Sequence, residues 1–165
     1  MTSAPIAQQR LLIDLQDLDS HLARLRHERK HLPVLTRIEA VIERLKANKR
    51  AAIQAEAALD EAKKQATRSE DEVGQVARRA EVLRERLHSG ASAARDLSAI
   101  QGEIDQLGQR QSALEEAQIV AMEALDSARQ EAERLSREEA EIRAAGRDLT
   151  AKRDAEFARL DEEID

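Results

Sequence analysis

Eight apolar residues, Ile38, Leu45, Ala52, Leu59, Ala66, Val73, Ala80 and Leu87, follow one another at a strict interval of seven. A companion series three residues later runs Val41, Asn48, Ala55, Ala62, Ser69, Val76 and Leu83. Alternating steps of three and four give a period of 3.5 residues, which a helix satisfies by supercoiling left-handedly around a partner. A strand repeats every two residues and has no use for this spacing. The pattern returns further on, as Ile100, Leu107, Leu114, Ala121, Ala128, Leu135, Ile142 and Leu149, with companions Leu97, Ile104, Gln111, Gln118, Leu125, Ala132, Glu139 and Gly146. Between the two series lies His88 to Asp96, where Gly90 suits the left-handed conformation that ends a helix and Ser92 suits an N-cap. Two long heptad helices on a short loop pack against each other antiparallel. The expected fold class is all-α: a long kinked antiparallel coiled-coil hairpin forming a single domain over residues 1–165.

The first thirty residues carry a shorter version of the same signal. Leu11, Leu15, Leu18, Leu22 and Leu25 step by four and three, and Leu32 rejoins the series. Pro5 suits the opening of a helix. Pro33 removes an amide donor and disfavours helix before it, so a kink is expected over 31–34. The expected order is helix 5–32, helix 34–88, tip loop 89–94 and helix 94–165. Past Leu149 the phase slips, as in a stutter, and Phe157, Leu160 and Ile164 take over the apolar face. Counting outward from Gly90 brings Pro33 level with Gly146, which predicts a bent rod. The Leu11–Leu32 helix would continue past the bend and pack on residues 150–165; a first helix folded back into a three-helix base is the alternative. Two registers a heptad apart satisfy the seam. One opposes Leu87 with Ile100, Ser69 with Gln118 and Asn48 with Glu139; the other sets Val41 against Glu139. The first groups more of the polar core residues and is preferred, because a polar group costs less beside another polar group than beside Val.

Composition agrees with a seam rather than a thick core. Phe157 is the sole aromatic residue, 36% of the chain is charged, and the apolar residues are mostly Ala and Leu. Absence of cysteine excludes a disulfide framework and any thiolate metal site within these residues. No stretch approaches the apolar length of a membrane span, and Met1 to Gln9 has no signal-peptide core, so a cytoplasmic location is expected. There is no cysteine, no Gly-rich phosphate loop and no strand on which one could be mounted, and the chain is expected not to be an enzyme.

Charge is unevenly placed. Residues 1–50 hold ten Lys or Arg against six Asp or Glu, leaving 17 and 27 for the rest of the chain. Arg24, Arg26, Arg29, Lys30, Arg37, Lys46, Lys49 and Arg50 form a basic candidate surface for nucleic acid, which clustered cations bind through phosphate charge. Interleaved Glu28, Glu39 and Glu43 favour the plainer reading of a solvated helix face. His27 and His31 lie one turn apart, with His21 nearby, a spacing that holds Zn²⁺ only if a third ligand converges; solvated imidazoles at a helix end are the simpler reading. The tip residues Ser89, Gly90, Arg95 and Asp96 are candidates for partner binding, since exposed loops on rigid supports often carry function. A protein partner is therefore expected first, nucleic acid second and a structural spacer third. Membrane binding is not expected, the apolar stripe being narrow and lacking aromatics. Both a monomer and a homodimer in which two chains exchange arms suit the same seam.

The tip sequence also resembles a known family. Ser89-Gly90, then Arg95-Asp96-Leu97 and Ile100-Gln101-Gly102-Glu103-Ile104, are similar to the tip of bacterial proteins with an N-terminal coiled-coil hairpin and a C-terminal C4-type zinc ribbon. Leu12 to Leu18, His27 to Leu35 and Leu114 to Met122 resemble that family too. The resemblance implies a kinked coiled-coil rod and a non-catalytic role, as an adaptor or chaperone-like protein linked to transcription or secretion machinery or, in some members, to nucleic acid. It implies zinc only in the ribbon, and this sequence reaches Asp165 without a cysteine. Either a ribbon follows in a longer protein or it is absent; these residues imply no cofactor. Ala93-Ala94 also stand where many members carry Pro.

Overall fold

The computed structural model describes residues 5–90 and 93–165. It consists of three helices: α1 (Ile6–Lys30), α2 (Pro33–His88) and α3 (Ala94–Ile164). The described residues include no strand, and the fold is an all-α antiparallel coiled-coil hairpin. Every residue of the four heptad series on α2 and α3 is buried or half-buried. Packing divides the helices into two compact units, one from the chain up to Lys49 with Glu138–Asp165, the other Arg50–Arg137.

In the second unit the C-terminal part of α2 runs against the N-terminal part of α3. Its most shielded seam residues are Ala80, Leu135, Ile100, Ile104 and Ala55, at 1–9% exposure. Alanine predominates midway, so the backbones approach closely and each layer buries little area. Gly90 ends the hairpin's first arm with φ 66°. Ser89 helps close α2, its backbone N–H donating to Glu85 O and its Oγ to Arg86 O. The candidate cap Ser92 lies outside the described residues. Just before α3, the Ala93 carbonyl accepts from the N–H groups of Asp96 and Leu97.

The first unit shows the register directly. A Cβ built on Gly146 would lie 3.4 Å from Val41 Cγ1, so Val41 faces Gly146 and not Glu139. This is the register that sets Asn48 against Glu139. Asn48 is the buried polar residue of the seam, at 5% exposure. The Arg44–Glu138 ion pair of this unit and the Arg79–Glu103 pair of the second are separated by five heptads on each helix. Each unit therefore keeps the same register.

At the open end of the first unit Leu160, Leu25 and Leu32 are almost wholly buried, at 0–6% exposure, with Val34, Leu35, Phe157 and Ile164 packed around them. Burying each leucine stabilises by about 1.5–3 kcal/mol. Pro33 occupies the first position of α2, where its missing N–H has no helical partner to lose. His31 and Leu32 make the break before it, with the His31 N–H held by His27 O and Glu28 O. Along α3 the inward residues Gly146, Leu149, Arg153, Phe157 and Leu160 step 3, 4, 4 and 3, which locates the stutter at Arg153. The expectation that the whole Leu11–Leu32 helix packs on residues 150–165 needs correction. Only its second half does so; Leu11, Leu15 and Leu18 are 53–67% exposed. Ile164 of α3 packs in the cluster that holds Leu25, and no described residue covers the preceding turns of α1.

Candidate functional site

α2 ends at His88 and α3 starts at Ala94, and this brings Ser89, Gly90, Arg95 and Asp96 to one end of the second unit. All four are exposed. Asp96 is the acidic residue in the first turn of α3, a position the helix dipole favours. Among the described residues, neither the Arg95 guanidinium nor the Asp96 carboxylate makes a side-chain hydrogen bond or ion pair. The tip thus offers one cation and one anion, side by side in sequence, on a two-helix support.

The basic residues are distributed differently. At 100° per residue, Arg26 and Lys30 share a face of α1 while Arg24 points away from them, and on α2 Lys46 lies half a turn from Arg37. Arg29 is engaged: its Nε and Nη2 donate to Asp161 Oδ1 and Oδ2 at 2.7 and 3.1 Å, and its guanidinium lies 4.3 Å from the Phe157 ring centroid. The hydrogen bond to Asp161 pushes the Arg29 pKa up. Lys46 is paired with Glu43 at 2.8 Å. Arg37 lines a shallow groove of about 490 Å³ with Glu28, Pro33, Leu149, Lys152 and Glu156, where acids alternate with the cations. Lys49 belongs to the first unit and Arg50 to the second. Within the first unit the cations surround their helices and do not form a single stripe.

His27 and His31 stack at 4.1 Å between ring centroids, and the His31 ring Nδ1 bonds the His27 carbonyl at 2.8 Å. Stacked rings do not converge on a shared ion. Among the described residues no group of three or more His, Cys, Asp or Glu is arranged to hold a metal. None of the described helices is long and apolar enough to cross a membrane.

Sequence reasoning did not single out Arg159. Its guanidinium reaches Glu28 on α1 at 3.1 Å as well as Glu156 and Glu163 on its own helix. Hydrogen bonds to Glu156 first, and then to Glu28, push its pKa up. The Glu156 and Glu163 spacings were legible as i,i+3 and i,i+4 pairs. The Glu28 contact was not, because it joins residues 131 positions apart.

The family described as the CT398-like coiled coil hairpin domain matches residues 15–165. Two uncharacterized proteins of Mycobacterium tuberculosis, from strains CDC 1551 / Oshkosh and H37Rv, are each 36% identical over 124 residues. That stretch is 73% of this chain and 49% of theirs, so the chain matches about half the length of these curated relatives. A solved structure from Mycobacterium smegmatis is similar with a TM-score of 0.77 and 27% identity, over 99% of this chain and 67% of that one.

Proposed function

This chain belongs to the CT398-like coiled coil hairpin domain family, and from that premise we propose that it is a non-enzymatic adaptor, a chaperone-like module that binds a protein partner through its tip. The observation that carries this reading is the exposed Arg95–Asp96 pair beside Gly90, uncommitted among the described residues and mounted on two helices. The first turn of α3 fixes the backbone that carries this charged pair, so binding there orders the side chains and not the chain. Cytoplasmic work alongside transcription or secretion machinery belongs to the same proposal. Nucleic acid is the weaker partner, since Arg29 and Lys46 are committed to carboxylates and the remaining cations point in several directions.

The test places a photo-crosslinking residue at Ser89 or, as a control on the hairpin flank, at Thr67. Protein adducts formed in cells from position 89 alone, and lost on adding Arg95→Glu with Asp96→Arg, are the expected result. Equal adducts from both positions, or adducts removed by nuclease or by Arg26→Glu with Lys30→Glu, would transfer the role from the tip to the basic surface or to none.

A further inference from the structure

The N-terminal half of α1 carries a heptad seam against which no described residue is laid. Leu11, Leu15 and Leu18 are 67, 53 and 55% exposed, and Leu12 beside them is 63% exposed. The same stripe continues through half-buried Leu22 into Leu25, which is buried against Leu160. One continuous leucine seam is therefore occupied at one end and open at the other. Steps of four and three suit a helix as the occupant. On this numbering Asp14 borders the seam on one edge and Asp19 on the other, the e and g positions that choose a coiled-coil partner. Asp17 adds a third carboxylate on the Asp14 side, against Arg10 as the cation of these turns.

Those acids argue against a second copy of this chain. A parallel pair would set Asp14 against Asp19 of the other copy on both edges, and His21 against Arg26. The antiparallel register that matches leucine with leucine, Leu11 with Leu22 and Leu15 with Leu18, puts Asp14 nearest His21 and Asp19 nearest Leu12, so it pairs no aspartate with a Lys or Arg and gathers three aspartates of each copy at one level. Like charges across a seam are destabilising, and interfaces exclude wrong partners this way. An anionic membrane meets the same repulsion, without interfacial aromatics to offset it.

We propose that the Leu11–Leu15–Leu18 stripe of α1 is a docking surface for an amphipathic leucine-heptad helix whose flanking positions carry Lys or Arg. The site is distinct from the tip and stands whether or not the tip binds a protein.

The probe is a synthetic three-heptad peptide with Leu and Ile at its seam positions and Lys at both flanks, compared with the same peptide carrying Glu there. Titrated into the 165-residue chain, the Lys peptide is expected to bind at least tenfold more tightly than the Glu peptide. Leu15→Ser with Leu18→Ser leaves net charge and the Leu25–Leu160 cluster intact, and should weaken binding of the Lys peptide at least tenfold. Asp14→Lys with Asp19→Lys should reverse the preference toward the Glu peptide. Equal affinity for both peptides, or retention of the Lys peptide by the Ser variant, overturns the proposal. So does a concentration-dependent dimer by light scattering that the Ser variant abolishes, which would give the stripe to a second copy.

Discussion

Arg29 lies over the ring of Phe157, 4.3 Å from its centroid, while its fork donates two hydrogen bonds to Asp161. One α1 side chain thus engages α3 on two successive turns, through a cation–π stack on one and an ion pair on the other. Lysine can supply the charge but neither the stack nor the two-pronged geometry. Melting temperatures should fall in the order wild type, Arg29→Lys, Arg29→Ala, with hydrogen exchange in residues 20–30 rising in the same order. Equal loss for Lys and Ala would show that the fork and stack matter and the charge does not.

Leu160 holds the base cluster together at 0% exposure, touching the positions where α1 ends and α2 begins. Leu160→Ala should cost about 2–5 kcal/mol by urea denaturation, from lost transfer energy and a residual cavity. Proteolysis should then cut first near His31 and Leu32, the break between α1 and α2. Unchanged cleavage there would mean α1 is held by its ion pairs alone.

Two glycines should respond in opposite directions. Gly90 has φ 66°, and Gly90→Ala should destabilise by about 1–2 kcal/mol because Cβ crowds the following carbonyl there. Gly102 sits inside α3 with open space around its missing Cβ, and Gly102→Ala should stabilise by about 1 kcal/mol through helix propensity. Both values come from paired thermal and urea melts.

Asn48, buried opposite Glu139, is a polar position of the kind that fixes register at a cost in stability. Asn48→Leu should raise the melting temperature. It should also permit a slip of one heptad, which sets Val41 against Glu139. Cysteines introduced at those two positions should form a disulfide readily in the Leu background and poorly beside Asn48. The absence of native cysteine keeps that readout free of competing thiols.

Two surface pairs predict an acid limb of the stability curve. The Lys64 hydrogen bond and charge hold Asp60 below its ordinary 3.8, and the Arg134 hydrogen bond holds Glu131 below its ordinary 4.5. A carboxylate depressed in the folded state contributes stability that is fully present above the unfolded value and lost as pH falls through the folded one. Melting temperature should therefore decline below those ordinary values. Lys64→Gln with Arg134→Gln should flatten part of that decline and leave the curve at neutral pH nearly level. Because both pairs are exposed, added salt should have the same effect.

The hairpin was legible because periodicity is a local property. Each residue of the four heptad series turns inward, Ser69 and Gln118 included, since helical geometry sets the direction of a side chain whatever its polarity. The stutter past Leu149 could be seen as a loss of phase, but the substitute inward residue, Arg153, could not be picked out by hydrophobicity. The candidate sites were less legible. Clustering of Arg24 to Arg50 in the sequence suggested a patch, whereas rotation by 100° per residue disperses those cations around α1 and α2, and Asp161 captures one of them.

That two long helices share a seam, which face of each lies inside and where the chain reverses at Gly90 all follow from local properties, because period, rise and glycine's freedom at positive φ are fixed residue by residue. The register that sets Val41 on Gly146, the junction of Arg29 with Asp161 and Glu28 with Arg159, and the choice of which leucines of α1 find cover came from packing. Those outcomes depend on contacts between residues far apart in the chain, which no local period encodes. Leu25 meets α3 and Leu11 does not, although the two are equivalent in the heptad.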